Sequence, residues 1–132
     1  NFITTFRDIA RVNPVNIIFI GWDAPDKQDD TGKWKLNIVA TPQLQQHIPG
    51  LLDIVGHVSV LDDAKSTRKV SFKSSPRAIS KFRKALGSPA QQIPDEIFYG
   101  VNDMPMPSIL ATLKEGKPWP RAKYLAPTRE RN

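Results

Sequence analysis

One largely apolar run, from Val15 to Ile20 and broken only by Asn16, constrains the fold of this chain more than any other feature. The run is rich in β-branched residues, and it lies between Pro14 and Gly21, residues that interrupt regular structure. Such a run is typical of a strand in a mainly parallel sheet that is covered on both faces. Residues 2–12 carry apolar side chains at three- and four-residue steps, which predicts an amphipathic helix. A helix that leads into a buried strand predicts an α/β fold, with the first strands of the sheet missing from this sequence.

Further elements are predicted along the rest of the chain. Residues 22–35 consist mostly of Pro, Gly, Asp, Lys and Gln between two tryptophans, and they are expected to form a long mobile loop. Further strands are expected at residues 36–40, 54–61 and 67–72, the last two as an antiparallel pair, and further helices are expected to begin at Pro42, Pro76 and Met106.

Composition narrows the class of protein. The 132 residues contain no cysteine, which excludes a disulfide scaffold and thiolate metal sites. No apolar run reaches the roughly 18 residues that a bilayer span requires, so we expect an intracellular protein without a membrane partner. The net charge of +6 favours polyanionic partners. Eight cations and no carboxylate lie between Lys65 and Lys84, although a solvated basic face is an open alternative.

The sequence contains no phosphate-binding loop. Its two Gly-Lys pairs are followed by Trp34 and Pro118, where the Gly-any4-Gly-Lys-Ser/Thr motif requires Ser or Thr. His47 and His57 stand alone, without the spacing or neighbours of a metal site. We therefore expect no cofactor and no metal in this chain.

Several segments, in this order and spacing, resemble phage RecA-like ATPases, the small recombinases of the single-strand-annealing type. They are Asn16–Ile20, Thr41–Leu44, Ile48–Asp53, Thr67–Val70 and Lys81–Arg83 with the later Ile93-Pro94. The resemblance implies that residues 1–113 are the C-terminal part of a RecA-like core. This partial core would be a mainly parallel sheet with an antiparallel late strand pair, flanked by helices. Residues 114–132 would be a basic, proline-containing tail.

The same resemblance implies a DNA-binding role for the loop at residues 22–35, which is similar to the mobile segment with which RecA-like proteins touch single-stranded DNA. Aromatic side chains stack on any base, and lysines neutralise phosphate. The candidate DNA-binding residues are Trp22, Lys27, Lys33, Trp34 and Lys35. A plain solvated loop is the alternative, because four aspartates share the segment.

Lys81 and Arg83 resemble the pair of cations with which one RecA-like subunit reaches the nucleotide of its neighbour. This implies a catalytic role in trans within a homo-oligomer in the bacterial host cytoplasm, with ATP and Mg²⁺ bound by the full-length protein. Gly21-Trp22 stands where the family places a polar phosphate sensor, so that role is not carried over. The alternatives are a water-facing helix for the pair, a non-catalytic basic module that binds nucleic acid or protein, and a structural phage protein.

Overall fold

A computed structural model describes residues 2–28, 31–32, 34–38, 50–62, 65–75 and 78–127. The chain divides into a first unit, Asn1–Val55 with Ser74–Lys81, and a second unit, Gly56–Lys73 with Phe82–Asn132. The helices are α1 (Phe2–Val12), α2 (Met106–Glu115) and a short 3-10 helix, Pro89–Gln92. The strands are β1 (Asp23–Gln28), β2 (Trp34–Ile38), β3 (Ile54–Val55), β4 (His57–Asp62), β5 (Thr67–Ser71), β6 (Lys81–Phe82) and β7 (Glu96–Gly100).

Helix α1 confirms the prediction for residues 2–12. Ile3 is buried, and the ring of Phe6 meets that of Phe19 edge-on, with 6.0 Å between centroids. At the C-terminal end, the backbone N–H and the side-chain amide of Asn13 both donate to the carbonyl of Ile9, at 3.1 and 2.9 Å. Pro14 has no N–H to donate and cannot continue the helix.

The expected buried strand at Val15–Ile20 is wrong, because these residues have no regular secondary structure. Ile18 is 56% exposed and Ile20 is 95% exposed. A strand forms only where neighbouring strands satisfy its N–H and C=O groups, and the described part of the first unit pairs no strand with this run. Val15–Ile20 therefore has the composition of a buried strand, but no sheet in the described part of the first unit buries it.

The expected loop at residues 22–35 is also wrong, because most of it forms an antiparallel hairpin of β1 and β2. Gly32, near the tip, has φ of 81°, the left-handed conformation that glycine adopts most readily. The register shifts between Pro25 and Lys27, as in a β-bulge. The pairing of β1 with β2 replaces most of the expected loop and fixes the register of the residues on the two strands.

The second unit is built on an antiparallel sheet in the order β4-β5-β7. The expected antiparallel pair is confirmed by β4 and β5, and β7, which was not predicted, lies on the other side of β5. Val70 of β5 stands beside Ile97 of β7, which is fully buried. Residues outside the sheet complete this core, namely Phe72, Ala90, Ile93, Ile109, Thr112, Trp119 and Tyr124.

The expected helix beginning at Pro76 is wrong for the described residues 78–87. Lys81 and Phe82 form strand β6, and the chain then turns at Leu86 and Gly87, where Gly87 has φ of 75°. Phe82 packs edge-on against Phe72 at 5.1 Å, whereas Leu86 is 95% exposed. The apolar residues at helical spacing therefore do not share a buried face, and nothing stabilises a helix over them.

The segment after α2 packs onto the second unit. Helix α2 confirms the predicted last helix and ends at Gly116, whose φ is 68°. The backbone N–H of Phe98 donates to the carbonyl of Tyr124 at 3.3 Å, which covers the outer edge of β7 at that position. The Tyr124 hydroxyl lies 3.0 Å from that of Ser108 in α2.

The expectation of a mainly parallel sheet is corrected by these pairings. Within the described residues, the chain is a small α/β protein whose elements include helices α1 and α2 and two antiparallel sheets, the hairpin and β4-β5-β7. Within the described ranges, a parallel pairing is recorded at the isolated bridge between Leu36 and Ala78. Among those residues, no helix is both long enough and apolar enough to cross a membrane. The helix expected from Pro42 lies outside the described residues.

Candidate nucleic-acid interface

The β1-β2 hairpin positions most of the predicted DNA-binding residues. Lys27 stands opposite Lys35, and Gln28 stands opposite Trp34. Lys33 lies outside the described residues.

Trp22 immediately precedes the hairpin and is 86% exposed. Tryptophan is among the residues that are most buried on average, so an indole this open to water is unusual. An exposed indole provides a flat face on which a base can stack, independent of base identity. The hairpin and Trp22 together bring two aromatic positions, Trp22 and Trp34, and two lysine positions, Lys27 and Lys35, into one segment.

Lys81 and Arg83 lie in different surroundings from those predicted. Lys81 is in strand β6 and is half-buried, and Arg83 follows the strand and is exposed. Their placement at a short strand, with no helix around them, removes the water-facing helix as an alternative for the pair.

The basic stretch from Lys65 to Lys84 is neutralised in part by carboxylates that the fold brings to it. The Lys69 ammonium lies 3.8 Å from Glu96, and that of Lys84 lies 3.4 Å from Asp95. Lys84 also donates to the carbonyl of Ile93. Both carboxylates lie at the start of β7. The basic stretch contains no acidic residue of its own, and its acidic partners were missed because strand β7 was not predicted.

Arg68 has a structural role in the same sheet. It stands opposite Tyr99 on β7, and its Nη1 is buried without a hydrogen-bond partner. Burial raises the pKa of the Tyr99 hydroxyl, and the positive charge of Arg68 opposes that increase. Lys65 and Lys73 are exposed and remain accessible to an anionic partner.

A groove in the second unit was not predicted from the sequence. It encloses about 270 Å³ and is lined by Gln91, Gln92, Pro94, Trp119, Arg121 and Leu125. The indole of Trp119 is largely buried and packs against the ring of Tyr124 at 5.3 Å. The available signal was a tryptophan between Pro118 and Pro120, an unusual residue for a solvated tail.

The described residues contain no group of three or more His, Cys, Asp and Glu side chains that could hold a metal ion. His57 lies in β4, and His47 lies outside the described residues. No protein-family model, curated protein or solved structure matches the chain.

Proposed function

We propose that this chain is part of a RecA-like ATPase that acts in phage DNA recombination or annealing. It would contribute late strands of the core, the hairpin that faces single-stranded DNA, and Lys81 and Arg83 for the neighbouring subunit. A separate phosphate-loop half would bind ATP and Mg²⁺. The observation that carries the proposal is the exposed apolar run Val15–Ile20.

This run is partly covered. Phe19 packs against Phe6 of α1, whereas Ile18 and Ile20 remain open to water. Burying an isoleucine side chain stabilises a protein by about 1.5–3 kcal/mol. The isolated chain does not gain this free energy from Ile18 and Ile20, because both are exposed. An exposed apolar segment of this kind marks a surface that associates with another. The occupant that fits a β-branched run is a pair of strands from the phosphate-loop half.

Reconstitution tests this proposal. The chain is mixed with a polypeptide that carries a Gly-any4-Gly-Lys-Ser/Thr loop followed by an apolar strand that ends in Asp. We expect a complex in gel filtration and slower amide hydrogen exchange across residues 15–20. Ile18→Ser should abolish the complex without destabilising the isolated chain, and Val12→Ser, at a position 81% exposed on α1, is the matched control. A saturable one-to-one complex of the isolated chain with ATP and Mg²⁺ contradicts the proposal.

The trans role of Arg83 is tested in the reconstituted ATPase. An arginine from a neighbouring subunit stabilises the transition state more than the ground state and contributes about 10³–10⁵-fold in turnover. Arg83→Ala should therefore abolish DNA-stimulated hydrolysis while leaving nucleotide binding intact, and Lys114→Ala, at an exposed position on α2, should leave both unchanged. Mixing Arg83→Ala with a phosphate-loop Lys→Ala protein should restore part of the activity. Full turnover by Arg83→Ala contradicts the role.

A non-catalytic single-stranded nucleic-acid-binding module is the second candidate, and the exposed Trp22 beside opposing lysines favours it. Such a module binds without sequence preference and loses affinity steeply as salt rises. Fluorescence anisotropy with the isolated chain should show this salt dependence. Trp22→Ala should weaken binding by about 1–3 kcal/mol if one base stacks there. This candidate predicts DNA binding without any effect of the phosphate-loop half.

A further inference from the structure

The groove beside Trp119 presents hydrogen-bond donors and one positive charge. The Oε1 atom of Gln92 accepts the backbone N–H of Trp119 at 3.2 Å, and Oε1 of Gln91 accepts that of Gly87 at 3.3 Å. Both side-chain oxygens are thus engaged within the protein, and the two NH₂ groups are left to donate. Arg121 is exposed and forms no ion pair within the described residues. Among the described residues, none that lines the groove is acidic.

The remaining walls are apolar and held in place. Trp119 is packed on Tyr124, whose hydroxyl is hydrogen-bonded to Ser108 of α2. Pro94 and Leu125 complete the apolar lining. The fixed indole gives the groove a rigid wall, while Leu125 and Arg121 are both exposed at its margin.

We propose that this groove binds one nucleotide of a single-stranded nucleic acid. A nucleotide matches two properties of the lining: its flat ring can lie over the exposed Pro94 and Leu125, beside the largely buried indole of Trp119, and its acceptor atoms and negative charge match the amides and Arg121. Guanidinium groups bind phosphate through paired N–H donors. The volume of about 270 Å³ lies just below the roughly 300–1,000 Å³ of ligand pockets, so the groove takes at most one nucleotide of a strand.

This inference rests on the proposed DNA role and assigns it a contact within the second unit, to which all the groove residues belong.

Photocrosslinking and affinity measurements with the full chain test the groove. The probe is a fluorescein-labelled oligo(dT) that contains 5-iododeoxyuridine. We expect a crosslink at Trp119, and Arg121→Ala should weaken binding by about fivefold or more, since it removes a phosphate contact. Lys114→Ala removes an equal charge from an exposed position on α2 outside the groove, and it should change affinity by less than about twofold. Circular dichroism checks that both variants fold.

Each result that would contradict the groove assignment differs from the expected one. Binding with crosslinks at Trp22 alone, and equal losses for Arg121→Ala and Lys114→Ala, overturns the groove and leaves the DNA role standing. The absence of binding at low salt overturns both the groove and the DNA role. Equal affinity for thymidine monophosphate and oligo(dT) overturns the assignment to a strand and identifies a free-nucleotide site. Displacement of oligo(dT) from the groove by an acidic peptide, with no Trp119 crosslink, overturns the nucleic-acid assignment.

Discussion

The two units differ in how far each buries its own apolar residues. In the second unit, the sheet β4-β5-β7 places Val70 beside Ile97, and residues from the 3-10 helix, α2 and the following segment complete a core around them. In the first unit, Ile3 of α1 is buried, but Ile18 and Ile20 face water. The second unit therefore has a buried core of its own, although it also exposes Val58 and Leu86, whereas the first unit leaves its most apolar run largely open to water.

Substitutions at isoleucine measure this difference most directly. Ile97 has no exposed surface, so Ile97→Ala should lower the free energy of unfolding by about 2–5 kcal/mol, through lost burial and the cavity left behind. Ile18→Ala in the isolated chain should change it by less than about 0.5 kcal/mol. Urea denaturation followed by circular dichroism measures both. Equal losses at the two positions would show that the first unit buries the run, and the comparison would fail.

Glycine substitutions sharpen the description of the second unit. A Cβ atom at Gly56 would lie 2.9 Å from Cγ2 of Val70 and 3.0 Å from Cε1 of Phe72. Gly56→Ala should therefore cost about 1–3 kcal/mol, because β5 and Phe72 must shift. Gly100→Ala is the matched control, since nothing lies within 4 Å of its added Cβ. Thermal melts of the two variants should differ by several degrees, and equal melts would contradict the close approach at Gly56.

Lys84 tests whether the basic stretch includes structural cations. Its ammonium donates to the Ile93 carbonyl, contacts Asp95 and lies 5.1 Å from the Phe82 ring centroid. Lys84→Ala should cost about 1–2 kcal/mol, mainly from the lost hydrogen bond at buried Ile93. Asp95→Asn removes only an exposed ion pair and should cost less than about 1 kcal/mol. If Lys84→Ala weakens DNA binding but leaves stability unchanged, this residue belongs to the interface and not to the core.

Local patterns predicted only part of this structure. Helix α1 and the β4-β5 pair were predictable because their periodicity is local and their partners are close in sequence. The hairpin was missed because β1, Asp23–Gln28, has no apolar alternation and is a strand only through its pairing with β2. The groove beside Trp119 depends on a hydrogen bond between Gln92 and Trp119, which are 27 positions apart, and no local sequence pattern predicts such a contact. The exposure of Val15–Ile20 was not predictable, since burial depends on which neighbours are present.

The smallest expected effect is a pH dependence at Tyr99. Burial raises the pKa of its hydroxyl above the ordinary value of about 10, so the folded state holds the proton more tightly than the unfolded state does. The resulting stability is fully present below pH 10 and is lost as pH rises through the folded-state pKa.

The variant Tyr99→Phe lacks the hydroxyl and therefore has no titration at this position. Lys117 and Lys123, whose pKa values are raised by hydrogen bonds to Glu115 and Asp103, titrate in both proteins and cancel in the difference. The stability of the wild type relative to Tyr99→Phe, from urea denaturation at pH 9 and at about pH 11, should therefore fall as pH increases. If the stability of the wild type relative to Tyr99→Phe instead increases with pH, the positive charge of Arg68 outweighs the effect of burial on the Tyr99 hydroxyl. The buried Nη1 atom of Arg68 would then interact strongly with the tyrosinate.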